Sequence, residues 1–238
     1  MRKTVYAAGA LSMLAALTFA APAQAGGNHD GGRHYSDYAL LSVLHGVPDL
    51  VVDVWVNGKL AVDDFEPGDL AGPLKLDDGR YTIAITAADA TSADDPVIGP
   101  VKVALKEGRN YTAVAHLDAS GEATATLFKN DTSASPKGEG KLTVRHVAAA
   151  PAVDVLAGDT AVIEGLENPE QKVLTLKAGT VSASVAAAGT TEPLIGPADI
   201  QVKKGKNTIV YAWGSLEDDS LGVAVQVVDS DKWRGDDD

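Results

Sequence analysis

The stretch that decides the fold is Tyr38–Gly58, which reads YALLSVLHGVPDLVVDVWVNG. It contains two runs rich in alternating apolar residues, a pattern typical of β-strands, and a turn around Gly46 separates them. The second run ends in Asn57-Gly58, a dipeptide that favours a tight hairpin turn. About 100 residues later the chain repeats this pattern as GKLTVRHVAAAPAVDVLAGD, which begins at Gly140. A repeat of this length predicts two domains with the same fold.

The rest of the chain consists of short alternating runs separated by turn residues such as Asp78-Gly79. Turns at intervals of about 8–12 residues are typical of β-sandwiches. We therefore predict an all-β chain of two tandem antiparallel β-sandwich domains, immunoglobulin-like or transthyretin-like, with about seven strands each. In the second copy, apolar residues alternate with Thr143 and Arg145, which predicts one face in the core and one face outside.

Composition sets the expected boundaries of these domains. Polar segments rich in Gly, Ser or acidic residues predict a disordered leader, a linker and a tail around the two apolar copies. The expected segments are 1–25, a signal peptide; 26–37, a disordered Gly/His-rich leader; 38–131, the first β-sandwich; 132–140, the linker; 141–229, the second β-sandwich; and 230–238, an acidic tail.

The first 25 residues have the three parts of a secretory signal peptide. Arg2 and Lys3 precede an apolar run, and Ala23-Gln24-Ala25 supplies the small residues of a cleavage site. The apolar run is shorter than the roughly 20 residues that cross a membrane. We therefore expect cleavage after Ala25, export by the general secretory route, and a mature chain without a transmembrane segment. The expected location is extracellular, either free or at the cell surface.

Charge and cysteine content narrow the classes of partner. The sequence has 33 acidic and 20 basic residues, a formal net charge of −13. This sign disfavours nucleic acids, because their phosphate backbone is bound by Lys and Arg. The sequence has no cysteine, so apolar cores must stabilise the domains without disulfides.

The repeated motif resembles the bacterial domain-of-unknown-function 4397 family. Its shared members are a histidine, a proline and a Val-Asp-Val triplet: His45, Pro48 and Val52-Asp53-Val54 in the first copy, and His146, Pro151 and Val153-Asp154-Val155 in the second. The second copy departs from the pattern with Ala149-Ala150 before its proline. The resemblance implies an exported β-sandwich repeat of the cell envelope or extracellular space. It implies no assigned activity and brings no catalytic residues.

The ionisable residues that recur in both copies are His45 and Asp53, with their counterparts His146 and Asp154. One interpretation is a His–Asp pair that binds a ligand or moves a proton in an unfamiliar hydrolase. The other is a structural network, because a partly buried histidine needs a hydrogen-bond partner. We favour the structural interpretation, since alternation places the histidines and the aspartates in different phases.

Two further features are candidates for binding. Trp55 is either exposed, where its ring can stack on a sugar or a partner, or packed in the core. The loop residues Glu217, Asp218 and Asp219 are candidate ligands for calcium, which takes six to eight oxygens. Other acidic pairs, such as Asp63-Asp64, are also expected in loops. No cofactor is expected, because solvated acidic loops are the favoured interpretation of these residues, and calcium is the alternative.

The sequence therefore predicts a secreted, non-enzymatic binding or structural module of the bacterial cell envelope. Expected partners are a cell-wall glycan or a surface protein. Gly-x-Ser-x-Gly and His-Glu-x-x-His motifs are both absent from the sequence, which disfavours the enzyme families that they mark. The alternatives are an extracellular hydrolase that uses the His/Asp residues and a surface protein stabilised by calcium.

Overall fold

The computed structural model describes residues 37–230. The expected signal peptide, nearly all of the expected leader and the tail after Ser230 lie outside the described residues. Eight strands form the first half of the described chain: β1 Ala39–Gly46, β2 Val52–Val56, β3 Lys59–Phe65, β4 Leu70–Leu76, β5 Gly79–Ala87, β6 Ile98–Leu105, β7 Asn110–Leu117 and β8 Ala123–Lys129.

Eight more strands form the second half: β9 Glu139–Ala149, β10 Val153–Ala157, β11 Thr160–Leu166, β12 Gln171–Lys177, β13 Gly179–Ala187, β14 Pro193–Val202, β15 Lys206–Ser215 and β16 Gly222–Asp229. The last two residues of the expected linker 132–140 therefore belong to a strand. Within residues 37–230, no helix is long and apolar enough to cross a membrane.

The strands form four sheets of four strands each, which build two β-sandwiches. The first sandwich has the sheets β4-β1-β7-β8 and β3-β2-β5-β6, and the second has β12-β9-β15-β16 and β11-β10-β13-β14. The strand order is the same in both, with each strand number raised by eight. The predicted all-β fold of two β-sandwiches is confirmed.

Two details differ from the expectation. Each sandwich has eight strands instead of about seven. The sheets are also not purely antiparallel, because β1 pairs with β7 in parallel and β9 pairs with β15 in parallel. A parallel pair brings the first strand of each copy into the centre of a sheet, where both of its edges are hydrogen-bonded.

The two sandwiches pack face to face through the sheets β4-β1-β7-β8 and β12-β9-β15-β16, and β7 contacts both β9 and β15. The described chain is therefore a stack of four sheets. Because the two middle sheets are covered on both faces, every residue of β1 and β7 is buried. The expected outward face of β9 is wrong for the same reason: Thr143 and Arg145 are fully buried.

Arg145 lies at the centre of the layer between the sandwiches. Its guanidinium donates hydrogen bonds to Gln171 Oε1 (2.8 Å), to Asn130 Oδ1 (2.8 Å) and to the Tyr211 hydroxyl (2.7 Å). It also stacks 4.3 Å from the centre of the Phe128 ring, an arrangement that stabilises a buried cation. Since Asn130 and Phe128 belong to the first half of the chain, these contacts join the two sandwiches.

Candidate functional site

The motif histidines have the same role in both sandwiches. Each is buried at the end of the first strand, and its Nε2–H donates to a carbonyl five residues later: His45 to Leu50 (2.6 Å) and His146 to Pro151 (3.0 Å). These bonds close the turns β1–β2 and β9–β10. Burial lowers the pKa of both histidines, so both imidazoles are neutral near neutral pH.

The motif aspartates hold a bulge in the following strand. Asp53 Oδ1 accepts the backbone N–H of Asp64 (3.0 Å), and Asp154 Oδ1 accepts that of Gly165 (2.8 Å), eleven residues on in each case. Asp64 and Gly165 both have positive φ, 50° and 61°. The histidine and the aspartate of each motif therefore bond to different backbone groups, which is the arrangement of the structural interpretation.

The first sandwich adds two carboxylates at this point. Oxygens of Asp53, Asp63 and Asp64 lie within 4.8 Å of one another. Burial raises the pKa of Asp53, as do the charges of Asp63 and Asp64, and the Asp64 N–H opposes this shift. Asp63 and Asp64 lie in β3, so their expected place in a loop is wrong. The group offers three of the six to eight oxygens that calcium takes.

The second sandwich has no equivalent of this group among the described residues. Glu164 and Gly165 occupy the places of Asp63 and Asp64. Asp154 accepts a second N–H from Gly189 (2.8 Å), and its two amide donors lower its pKa.

The calcium candidates of the β15–β16 turn do not form a group of converging carboxylates. Glu217, Asp218 and Asp219 are exposed, and in residues 37–230 the side chains that converge for a metal are those of Asp53, Asp63 and Asp64. If the protein binds calcium, we therefore expect the ion at Asp53, Asp63 and Asp64 in the first sandwich, and not at the β15–β16 turn.

Trp55 is not available for stacking on a ligand. It is 8% exposed, and its indole Nε1–H donates to Thr86 Oγ1 (2.9 Å) on the neighbouring strand. The exposed alternative is therefore wrong, and Trp55 packs in the first sandwich.

The second sandwich is open along one side, which no sequence pattern predicted. In the first sandwich the edge strands β6 and β8 contact each other, whereas β14 contacts β9 and β15. An apolar pocket of about 430 Å³, measured out to its open mouth, lies among β14, β16 and the inner strands. A second pocket of about 220 Å³ shares Val185 and Ile195 with the first and extends to His146.

Smaller interior side chains account for this pocket. Strand register identifies three equivalent positions at which the second sandwich has the smaller residue: Ile83 and Ala183, Val101 and Ala198, and Tyr111 and Thr208. Ala183 and Ala198 line the pocket directly. A truncated interior leaves a cavity where the surrounding structure relaxes only partly.

Exposed valines form a row on β16 beside the pocket, and the first of them, Val223, lines it. Val223, Val225 and Val227 are 38%, 50% and 40% exposed. They lie on the interior face of the sheet, because Val225 pairs with the core residue Val210. The equivalent residue of β8, Leu127, packs against the first core. At the position of Val225, the side chain is therefore packed against the core in the first sandwich and exposed in the second.

The fold and this site define a protein of two stacked β-sandwiches with an open apolar cleft in the second. Residues 39–156 match the family described as Domain of unknown function (DUF4397). The chain belongs to this family through these residues, which comprise the first sandwich and the strands β9 and β10. The resemblance of the motif is thus confirmed for the first copy.

Comparisons of the chain with curated proteins and with solved structures identify no further family. No curated protein matches the chain. Among solved structures, the chain is similar to one described as the Bacillus anthracis TIE protein, with 14% identity and a TM-score of 0.21. The similarity covers 73% of this chain and 35% of that chain, so the present chain spans about a third of its length.

Proposed function

We propose that this protein is a secreted, non-enzymatic binding module of the cell envelope and that the open side of its second sandwich is the binding site. One observation carries the proposal: two sandwiches of identical strand order differ in that the second has an apolar pocket beside a row of exposed valines on its edge strand. Ligand sites are mostly apolar clefts with a few polar groups, and the lining of this pocket is almost wholly apolar. The signal-peptide features of residues 1–25 support export.

The chemistry of the lining supports an apolar partner. Ser184 carries the only polar side chain that lines the larger pocket. A glycan needs several hydrogen-bonding groups in its site, because its hydroxyls lose water on binding. The lining therefore favours the apolar side chains of a surface protein over a cell-wall glycan.

The same lining supports a role without catalysis. Proton transfer needs a titratable group within reach of the substrate. His146 borders the smaller pocket, and its Nε2–H is already donated to Pro151. The hydrolase alternative uses His45 or His146 with a nearby Asp. At this pocket the candidate is His146, so His146→Gln should abolish any hydrolytic activity of the second sandwich if that alternative is right.

An uncharged environment-sensitive dye, N-phenyl-1-naphthylamine, tests the proposed site. We expect saturable fluorescence enhancement with the wild type and its loss in Ala183→Ile, which fills the pocket. Ala123→Ile adds the same atoms at an exposed position of the first sandwich and should bind as the wild type does. Absence of saturable binding, or equal binding by Ala183→Ile, would contradict the proposal.

A second candidate function is calcium-dependent stabilisation at Asp53, Asp63 and Asp64, favoured by their convergence. A ligand that binds only the native state raises the melting temperature. Under this alternative, calcium raises the melting temperature of the wild type, chelator reverses the effect, and Asp53→Asn removes it. A melting temperature indifferent to both additives would exclude it.

A further inference from the structure

We infer that the partner at this site is an extended polypeptide segment that adds as a fifth strand beside β16 and places apolar side chains in the pocket. This inference rests on the proposed function, since it names the kind of partner that the same site takes. It follows from four properties of the described residues: a bare strand edge, blocked neighbouring edges, a pocket on one face, and opposite charges in the loops next to the two ends of the strand.

The edge of β16 is open to pairing. The strand pairs with β15 over eight consecutive residues, from Asp229 to Gly222, without a shift of register. It contains no proline, and its only charged residue is the last one, Asp229. On its other side no described strand pairs with it. A long, regular, apolar edge of this kind is a template for another strand.

The other edges of the second sandwich carry features that prevent pairing. The edge strand β14 contains Pro193 and Pro197 and has shifts of register. A register shift also interrupts β11, and β12 has Lys172 and Lys177. Natural sheets use prolines, charges and bulges to block edge pairing. Among the edges of this sandwich, β16 alone combines a regular register and the absence of proline with an uncharged span from Gly222 to Val228.

The pocket lies where an added strand would need it. Side chains of neighbouring strands stand about 4.5–5.5 Å apart on the same face of a sheet. Every second residue of an added segment would therefore stand beside the row Val223, Val225 and Val227, facing the pocket at Ala183 and Ala198. Backbone hydrogen bonds then supply affinity, and the pocket supplies selectivity for apolar side chains. The segment replaces the volume that Ile83 and Tyr111 provide in the first sandwich.

The loops next to the two ends of β16 carry exposed charges of opposite sign. Exposed acidic residues lie in the two loops next to its start, and exposed lysines lie in the loop next to its end: Glu192, Glu217, Asp218 and Asp219 at the start, and Lys203 and Lys204 at the end. The strand between them is uncharged up to Asp229. The complementary segment is therefore apolar at alternate positions, basic where β16 begins and acidic where it ends.

A second copy of the chain is the competing occupant. Stable interfaces use about 20–30 residues a side, and pairing of two β16 edges engages only eight in each chain. The net charge of −13 also opposes self-association. The observations therefore favour a foreign segment.

The probe is the fluorescently labelled peptide Glu-Thr-Val-Thr-Val-Thr-Val-Thr-Val-Lys, and fluorescence anisotropy measures its binding to the full mature chain. An added antiparallel strand places its Lys near the start of β16. We expect binding to weaken at least about tenfold in Val225→Lys, because the lysine puts an unpaired charge in the cleft. Val97→Lys is the matched control, since Val97 is 49% exposed in the first sandwich and Val225 is 50% exposed.

Two altered peptides separate strand pairing from apolar contact. A peptide with N-methyl groups on two of its valines keeps every side chain but loses N–H donors that face β16, so it should bind at least about tenfold more weakly. A peptide with Lys first and Glu last should also bind more weakly. Equal binding of the N-methylated peptide, or equal binding by Val225→Lys, would overturn the inference.

The dye and the peptide together show which proposal fails. If the dye binds the pocket and the peptide does not bind, the inference of an added strand falls and the proposed site stands. If neither binds, both fall. If the wild type is dimeric at the working concentration and Val225→Lys is monomeric, the occupant is a second copy and the inference of a foreign segment is overturned.

Discussion

The two sandwiches share one strand order and differ in the closure of their interiors. In the first, β6 contacts β8, and Ile83, Val101 and Tyr111 help to fill the space between the sheets. In the second, smaller residues leave a pocket that Val223 of β16 lines, and Val225 and Val227 continue the exposed row. The motif residues keep their backbone hydrogen bonds in both. The difference shows that a duplicated domain can retain its framework while the interior of one copy stays open.

The largest effect should follow from opening the closed sandwich. Ile83 is 4% exposed, and Ile83→Ala reproduces in the first sandwich the alanine of the second. Truncation of a buried isoleucine to alanine costs about 2–5 kcal/mol of unfolding free energy, which urea denaturation can measure. Val225→Ala, in the exposed row of β16, should cost less than about 1 kcal/mol. Similar losses for the two variants would contradict the described difference in closure.

Acid should weaken both sandwiches together. Burial lowers the pKa of His45, His116 and His146 below 6.5. Below about pH 6.5 the unfolded chain binds protons that the folded chain does not, so the free energy of unfolding falls as the pH falls.

Urea denaturation between about pH 7.5 and about pH 5.5 measures this dependence. His146→Gln, which keeps an N–H donor for Pro151, should reduce the slope. Asp53 has the opposite effect on the pH dependence of the free energy of unfolding: because its pKa is raised, the folded chain binds this proton more readily than the unfolded chain does. Constant or rising stability on acidification would contradict the buried, neutral histidines.

The two motif aspartates should respond differently to neutralisation at neutral pH. Asp154 accepts two amide hydrogen bonds as a carboxylate and has a lowered pKa, so Asp154→Asn should lower the melting temperature. Asp53 is buried beside two other carboxylates and has a raised pKa, so Asp53→Asn should leave the melting temperature unchanged or raise it. Equal losses for the two variants would show that the acidic group of the first sandwich has no effect.

The smallest effect on stability should come from closing the open sandwich. Ala183→Ile restores the residue of the first sandwich, and filling a cavity commonly adds about 0.5–2 kcal/mol of unfolding free energy. The same variant should lose dye binding, so stability and binding change in opposite directions. A loss of more than about 1 kcal/mol would mean that the site lacks the volume assigned to it.

Much of the fold could be predicted because alternation and repetition are local patterns. The motif around His45 and His146 located the first two strands of each sandwich. The contact between the sandwiches could not be predicted, because Thr143 and Arg145 are polar residues in the outward phase of a strand. Such residues usually face water, and here they face another sheet. These outward-phase residues are buried only because the two sandwiches stack their sheets against each other.

The candidate site was harder to predict than the fold. His45, Asp53, His146 and Asp154 stood out because they recur, and recurrence marks what a duplicated framework needs. The pocket depends on interior positions at which the two copies have different residues. Ile83 and Ala183 occupy equivalent positions in the two sandwiches. Only strand register identifies this equivalence, since loops of unequal length shift the sequence offset between the copies. The valines of β16 look like core residues in the sequence and lie exposed in the structure.

Hydrogen exchange at the β16 amides tests the central claim most directly. In an edge strand of an antiparallel pair, about half of the amides lack a partner, so they should exchange quickly in the free protein. Saturation with the alternating Thr-Val peptide should protect these amides and leave those of β8 unchanged. Amides of β16 that exchange equally fast with and without the peptide, under conditions in which the peptide is bound, would contradict the account.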